Sequence, residues 1–569
     1  MLRITNGNLI INQTKNKNNV DETSKPQIEN KTVKYSKLPA MGLIKFMGIG
    51  DMRNLQELKK ELHQIGGLGK QGSLLDWTMH TEDLSSDEEE HCSDAKTKLS
   101  LETKSKITSP KMGYLLDNLA NADNLNVKDK ALVKHWKKVF DDQTKIPEEF
   151  TERFSKLGSE SYLVWRDSRK NNNYEAYAPK LANLINCVRE QANYLNPNKS
   201  PYDVMLNEYD EGMSSEKLDQ IFGGLKEELV PFIKKINDKV EADPTLNEFK
   251  FLENPADMEQ MQEFATELVK DMGFDEKRGM IGKTAHPFMT GIDAPKDVRI
   301  AITDLSKTPG FTTATVANCL EMIGSIMHEA GHALVEQNAD SSLYRTGLVG
   351  ASMGIHESQS RLWENMVGKS KPFWNHYYPK LQEKVDAFKN VSFDDFYKAI
   401  NAVKPNKIRI DADEATYNLH VMLRYDIEKE MMDTSKAPEV LATMLPQKWN
   451  DKMEEYLGLR PNNDSEGILQ DVHWSDGSIG YFPSYTIGNL ASAQIFNKAK
   501  EELPNLQKNE WDKNDLKSLK DWLTEKIYKN GTVYTPEEII KNTTGEKLNP
   551  KYFTDYIKDK YSEIYNLNS

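Results

Sequence analysis

The sequence predicts a mainly α-helical fold: one large domain with a long cleft and a short accessory β-sheet. Three observations predict it. Apolar residues recur at three-and-four spacing in many segments, alternating strand patterns are few, and Asp51 to Ser569 contains neither a Pro/Gly/Ser-rich linker nor an internal repeat. Residues 1–50 stand apart. Asn, Lys and Thr dominate there, acidic residues begin only at Asp21, and apolar periodicity is absent, so a flexible extension is expected. Residues 51–569 then form the folded domain. In Lys217 to Val240, Leu218, Ile221, Phe222, Leu225, Leu229 and Phe232 form one apolar stripe, with Pro231 expected to kink or divide the helix. Met258 to Met272 is a second helix, and Val298 to Thr303 is the clearest strand. Helices are also expected over Cys319 to Asn338, Asp413 to Met432 and Lys517 to Lys529.

Whole-chain properties exclude several classes. The net charge of -14 opposes binding to a phosphate backbone, so no nucleic-acid partner is expected. No apolar run approaches the ~20 residues that span a bilayer, and no secretory signal is evident. Cys92, Cys187 and Cys319 are scattered without metal spacing, which fits a reducing, cytoplasmic setting. The acidic run Asp83 to Asp94 reads as a solvated loop.

The most informative residues are His328-Glu-Ala-Gly-His332. A helix turns about once every 3.6 residues, so two histidines four apart share a face and can reach one ion. Glu329 lies beside that ion without binding it. Two neutral imidazoles holding Zn²⁺, with a carboxylate to take a proton from the water that attacks, is the arrangement a zinc peptidase needs. Zinc requires a third protein donor. Glu357 is the leading candidate, on a segment that turns back after a loop containing Asp340, Ser341, Ser342 and Gly347. Arg361, four residues on, can orient its carboxylate or simply form a surface pair. His356 and Glu336 are the rivals.

These residues carry a family resemblance. The pentapeptide followed by His356-Glu-Ser-Gln-Ser-Arg-Leu-Trp-Glu-Asn365 resembles the carboxypeptidase Taq family, the thermostable carboxypeptidase 1 group of HExxH zinc metallocarboxypeptidases. Further matching motifs are His286-Pro-Phe288, Asp297-Val-Arg299, Ile408-Arg-Ile-Asp-Ala-Asp413, and Gly467-Ile-Leu-Gln-Asp-Val-His-Trp474, which runs on into Gly480 to Asn489. The match extends from about Asp51 to the C-terminus. Two departures stand out: Ala301 occupies a position where the family has Thr, and the early Trp-Asp stretch is altered around Leu74 to His80.

The resemblance implies a deep central groove of the neurolysin-like zincin type, one Zn²⁺ per chain (Co²⁺ suits the same ligands) and a homodimer. It also implies release of single C-terminal residues from peptides, with water activated at the zinc and Glu329 as general base. Hydrogen-bond donors must meet the charge that gathers on the scissile oxygen. His473 and Tyr485 are the expected donors, with Tyr481 in reserve. A guanidinium best receives the terminal carboxylate. Arg299, Arg409 and Arg424 compete, and the resemblance selects Arg409; Arg424 is expected to pair with Glu428, and Arg299 with Asp297. An endopeptidase with the same zinc core, or a non-catalytic protein with structural zinc, are the rival readings.

Overall fold

The computed structural model describes residues 44–284, 286–305 and 313–567. Nineteen α-helices and one three-stranded sheet supply its regular structure among those residues. The extension expected over residues 1–50 lies, as far as residue 43, outside the described residues. A long cover helix begins at Ile44 and runs to Thr81.

The sheet is small because its strands are short and few. The strand expected at Val298–Thr303 (β3) lies at its centre. Ile281–Thr284 (β1) pairs with it in parallel, and Phe288–Gly291 (β2) pairs antiparallel. Ala301 is fully buried on β3, clustered with Trp77 of the cover helix, Phe288 and Ile292. A small apolar side chain suits that dry contact.

The amphipathic run around Pro231 forms one helix, Ser215–Ala242, and is not divided. An interior proline loses a backbone hydrogen bond. Leu225 and Leu229 before it, and Phe232, Ile233 and Ile236 after it, are all buried, and this packing on both sides holds the two halves in one helix. Met258–Met272 is helical as expected, capped by the Asp257 carboxylate. The acidic run corrects its loop reading: a capping box between Ser85 and Glu88 starts a helix over Ser86–Ile107. Asp87, Glu88 and Glu89 occupy its first turn, where the helix dipole favours them.

Most buried side chains join one extended core. A second core lies under the cover helix, where Leu55, Leu58, Leu62 and Ile65 meet Leu115, Leu116, Leu132 and Trp136. The site is organised by three helices: the motif helix Val316–Gln337, the ligand helix Met353–Arg361 and the wall helix Pro483–Glu502.

Candidate functional site

Two glycines let these helices approach closely. A Cβ at Gly331 would lie 2.7 Å from both the Gln359 carbonyl oxygen and Ser360 Cα on the ligand helix. A Cβ at Gly488 on the wall helix would lie 2.6 Å from Glu357 Cγ. Glu357 is thus pressed toward the motif helix from behind. Gly488→Ala is expected to displace that carboxylate, cost roughly 1–3 kcal/mol through overpacking and weaken binding of divalent metal. Thermal unfolding and a zinc titration of the variant check both effects.

The donors converge. His328 Nε2 and His332 Nε2 are 3.2 Å apart, and Glu357 Oε2 lies 3.6 Å from the first and 3.4 Å from the second. Ligands about 2.0–2.2 Å from an ion at tetrahedral angles are separated by about 3.3–3.6 Å. The three side chains therefore fit a divalent ion, and they are the one such His/Cys/Asp/Glu group among the described residues.

Each donor is held from behind. Arg361 donates from Nε to Glu357 Oε1 at 2.7 Å and from Nη1 to Glu364 Oε2 at 3.1 Å. Glu364 Oε2 also accepts from His328 Nδ1 at 2.8 Å, which leaves Nε2 free for metal. Glu364 reaches this position from a wide π-helical turn, Leu362–Val367, that continues the ligand helix. Burial pushes the Glu357 carboxyl upward, but His328 and Arg361 outweigh it and hold the group well below the usual range. Burial is likewise overcome at Glu364, where Arg361 and the His328 hydrogen bond bring the carboxyl down to about 2. His332 is pushed well below the usual imidazole range by burial and by its histidine neighbours, so its ring is neutral. The rivals His356 and Glu336 lie on the far side of His332: His356 Nδ1 is 2.5 Å from His332 Nδ1, and His356 Nε2 is 3.6 Å from Glu336 Oε1. Glu329 is half-buried on the motif helix, next to His328.

A cavity of about 270 Å³ opens onto this group. His332, Glu336, His356 and Glu357 line one side, Met289 to Gly291 of β2 another, and Tyr481, Ser484 and Tyr485 a third. Ser73 brings the cover helix to its rim.

Behind the tyrosines lies a charged cluster that sequence spacing did not reveal. Arg409 donates from Nε (3.0 Å) and Nη2 (2.9 Å) to Asp471 Oδ1, and from Nη1 to the Tyr417 hydroxyl at 2.9 Å. These bonds occupy three of its five N–H groups and leave one on each terminal nitrogen. The guanidinium carbon lies 5.1 Å from the Tyr485 ring centre. Arg424 does not pair with Glu428; its Nε donates to Asp471 Oδ2 at 2.6 Å and its Nη2 to Gln470 Oε1 at 2.7 Å. The helix expected from Asp413 begins only at Tyr417, because Asp413 Oδ1 accepts the Ala415 and Thr416 amides and turns the chain. That bend brings Arg409 and Arg424 to one aspartate. Arg299 pairs with Asp297 through two hydrogen bonds, at 3.0 and 2.8 Å, as expected.

His473 Nε2 lies 3.3 Å from the Tyr485 hydroxyl. Burial, reinforced by Arg409, pushes this imidazole down to about 3 and keeps it neutral. Burial raises the Tyr485 hydroxyl well above its ordinary value, so it retains its proton. Glu428 anchors the segment that carries both residues, accepting from Trp474 Nε1 (2.9 Å), the Gly480 amide (3.1 Å) and the Tyr202 hydroxyl (2.9 Å). Burial raises its carboxyl from 4.5 to about 7. The folded protein therefore keeps a proton between about pH 4.5 and 7 that the unfolded chain releases. This group's stabilising contribution, of order 3 kcal/mol, falls as pH rises through that window and is lost above it. Glu428→Gln is expected to flatten this part of the profile of thermal midpoint against pH.

Comparisons with known proteins identify the family. A sequence model described as carboxypeptidase Taq (M32) metallopeptidase matches residues 57–561. The chain is 38% identical to carboxypeptidase 1 of Bacillus subtilis over 461 residues, covering 80% of this chain and 88% of that protein. It is 33% identical to thermostable carboxypeptidase 1 of Pyrococcus furiosus, covering 89% and 98% respectively. The crystal structure of the M32 carboxypeptidase from Deinococcus radiodurans R1 superposes with a TM-score of 0.82 at 33% identity, covering 90% of this chain and all of that one. The chain therefore belongs to the carboxypeptidase Taq (M32) metallopeptidase family and is a peptide hydrolase of the metallocarboxypeptidase class.

Proposed function

We propose that the protein is a zinc-dependent carboxypeptidase that releases single residues from the free C-termini of peptides. The observation that carries this reading is the triangle of His328, His332 and Glu357 donors with Glu329 beside it on the motif helix. A divalent ion held by these three side chains would act as a Lewis acid toward the scissile carbonyl and acidify a neighbouring water. Glu329 takes a proton from that water on its carboxylate and then delivers it to the departing amine. The Tyr485 hydroxyl, steadied by neutral His473, donates to the oxygen on which negative charge develops. Arg409 offers its two remaining N–H groups, one on each terminal nitrogen, to the substrate's terminal carboxylate. Asp471 keeps that guanidinium in place.

Imidazole and carboxylate ligands suit Zn²⁺ and also accept Co²⁺. A cytoplasmic setting and a homodimer complete the proposal; among the described residues no helix is long and apolar enough to cross a membrane. The test uses one short peptide as the free acid and as the C-terminal amide, followed by mass spectrometry with and without chelator. Stepwise shortening of the acid alone, stopped by chelator and restored by zinc, is the expected result. Internal cleavage of both forms would keep the metal chemistry and overturn the exopeptidase assignment.

A further inference from the structure

We propose that His356 and Glu336 form a positioning pair that fixes the tautomer and orientation of His332, and through it the affinity of the centre for its divalent ion. The inference rests on the reading of His328, His332 and Glu357 as the ligands.

His332 turns Nε2 toward the other donors, so once that nitrogen is given to an ion the ring proton must sit on Nδ1. That nitrogen faces His356 Nδ1 at 2.5 Å, with the ring centroids 4.6 Å apart. Only one proton can lie between two such nitrogens, so His356 accepts there and carries its own proton on Nε2. Glu336 Oε1 lies 3.6 Å from this nitrogen. The distance is too long for a direct hydrogen bond, but the carboxylate's charge favours the tautomer with Nε2 protonated. Glu336 comes from the motif helix, one turn beyond His332, and Gly291 of β2 makes room for it. A Cβ at Gly291 would stand 2.0 Å from Glu336 Oε2.

The two histidine ligands are therefore supported differently. His328 Nδ1 meets the carboxylate of Glu364 directly at 2.8 Å, whereas His332 reaches a carboxylate only through a second imidazole. Partners of this kind usually change metal affinity about 10- to 100-fold. Both members of the His332 pair face the cavity, while Glu364 sits behind the ligands.

The test measures zinc affinity of the whole metal-free chain by competition with a chromogenic chelator, together with the thermal midpoint without metal. His356→Phe keeps an aromatic ring against His332 but removes the acceptor. It is expected to weaken zinc binding about 10- to 100-fold with little change in the metal-free midpoint. His356→Gln, whose amide oxygen can accept from Nδ1–H, should recover most of the loss. Glu336→Gln, altering a partly exposed side chain, should weaken binding by a smaller factor, and it decides the matter alone if His356→Phe does not fold. Wild-type affinity in both His356→Phe and Glu336→Gln would overturn the pairing while leaving the ligand reading intact. A wild-type chain that binds no divalent ion would overturn both.

Discussion

Replacing Glu329 with Gln should lower kcat for peptide hydrolysis about 10²- to 10⁴-fold, the usual contribution of a positioned general base. Zinc affinity should stay near the wild-type value. The two expectations belong together. Glu329 follows His328 directly on the motif helix, about 100° round the axis, so it would border an ion held by His328 and His332 without supplying a ligand. The amide is nearly isosteric and cannot accept the proton. Steady-state kinetics and a zinc titration on one preparation separate the outcomes. Loss of zinc with loss of activity would make Glu329 a ligand or a structural support. Unchanged kcat would remove it from the proton path.

Asp471→Asn should be among the most destabilising single substitutions in the protein. Asp471 is buried and is the shared counter-charge of Arg409 and Arg424, both also buried. Removing it leaves two guanidinium groups facing each other without their anion, a class of change that costs about 3–5 kcal/mol. Asparagine keeps the shape, so the loss reports charge rather than a cavity. The pH dependence has a definite sign. Burial raises the Asp471 carboxyl, but Arg424 and Arg409 outweigh it and hold the group far below its ordinary value of 3.8. Its stabilisation is complete above about pH 4 and is lost as pH falls below that value. The substitution should lower the thermal midpoint near neutrality and reduce the acid sensitivity of what remains. An unchanged midpoint would contradict the geometry of the cluster.

The side-chain placement that depends on helical repeat was legible in the sequence. Four-residue spacing brings His328 and His332 to one face, and a second helix returning after the Asp340 to Gly347 loop delivers Glu357. The same spacing gave the Glu357–Arg361 contact. What escaped the sequence depends on departures from that repeat. Glu364 supports His328 because the helix widens into a π-turn, which spacing does not announce. Arg424 finds Asp471 because Asp413 caps its own backbone and delays the helix; along a straight helix it would lie far from Arg409. Glu428, read as a partner for Arg424, holds the backbone and indole of the His473 to Gly480 segment instead. The close approach at Gly331 and Gly488 is tertiary, and no local pattern marks it.

The central claim is that His328, His332 and Glu357 together hold the ion on which peptide hydrolysis depends. Anomalous diffraction at the zinc edge, from crystals of the wild-type protein supplied with one equivalent of zinc, tests it most directly. The expected result is a single strong peak about 2.0–2.2 Å from His328 Nε2, His332 Nε2 and a Glu357 carboxylate oxygen. A peak ligated by His356 or Glu336 instead of Glu357, or no ordered zinc at all three side chains, would contradict the account.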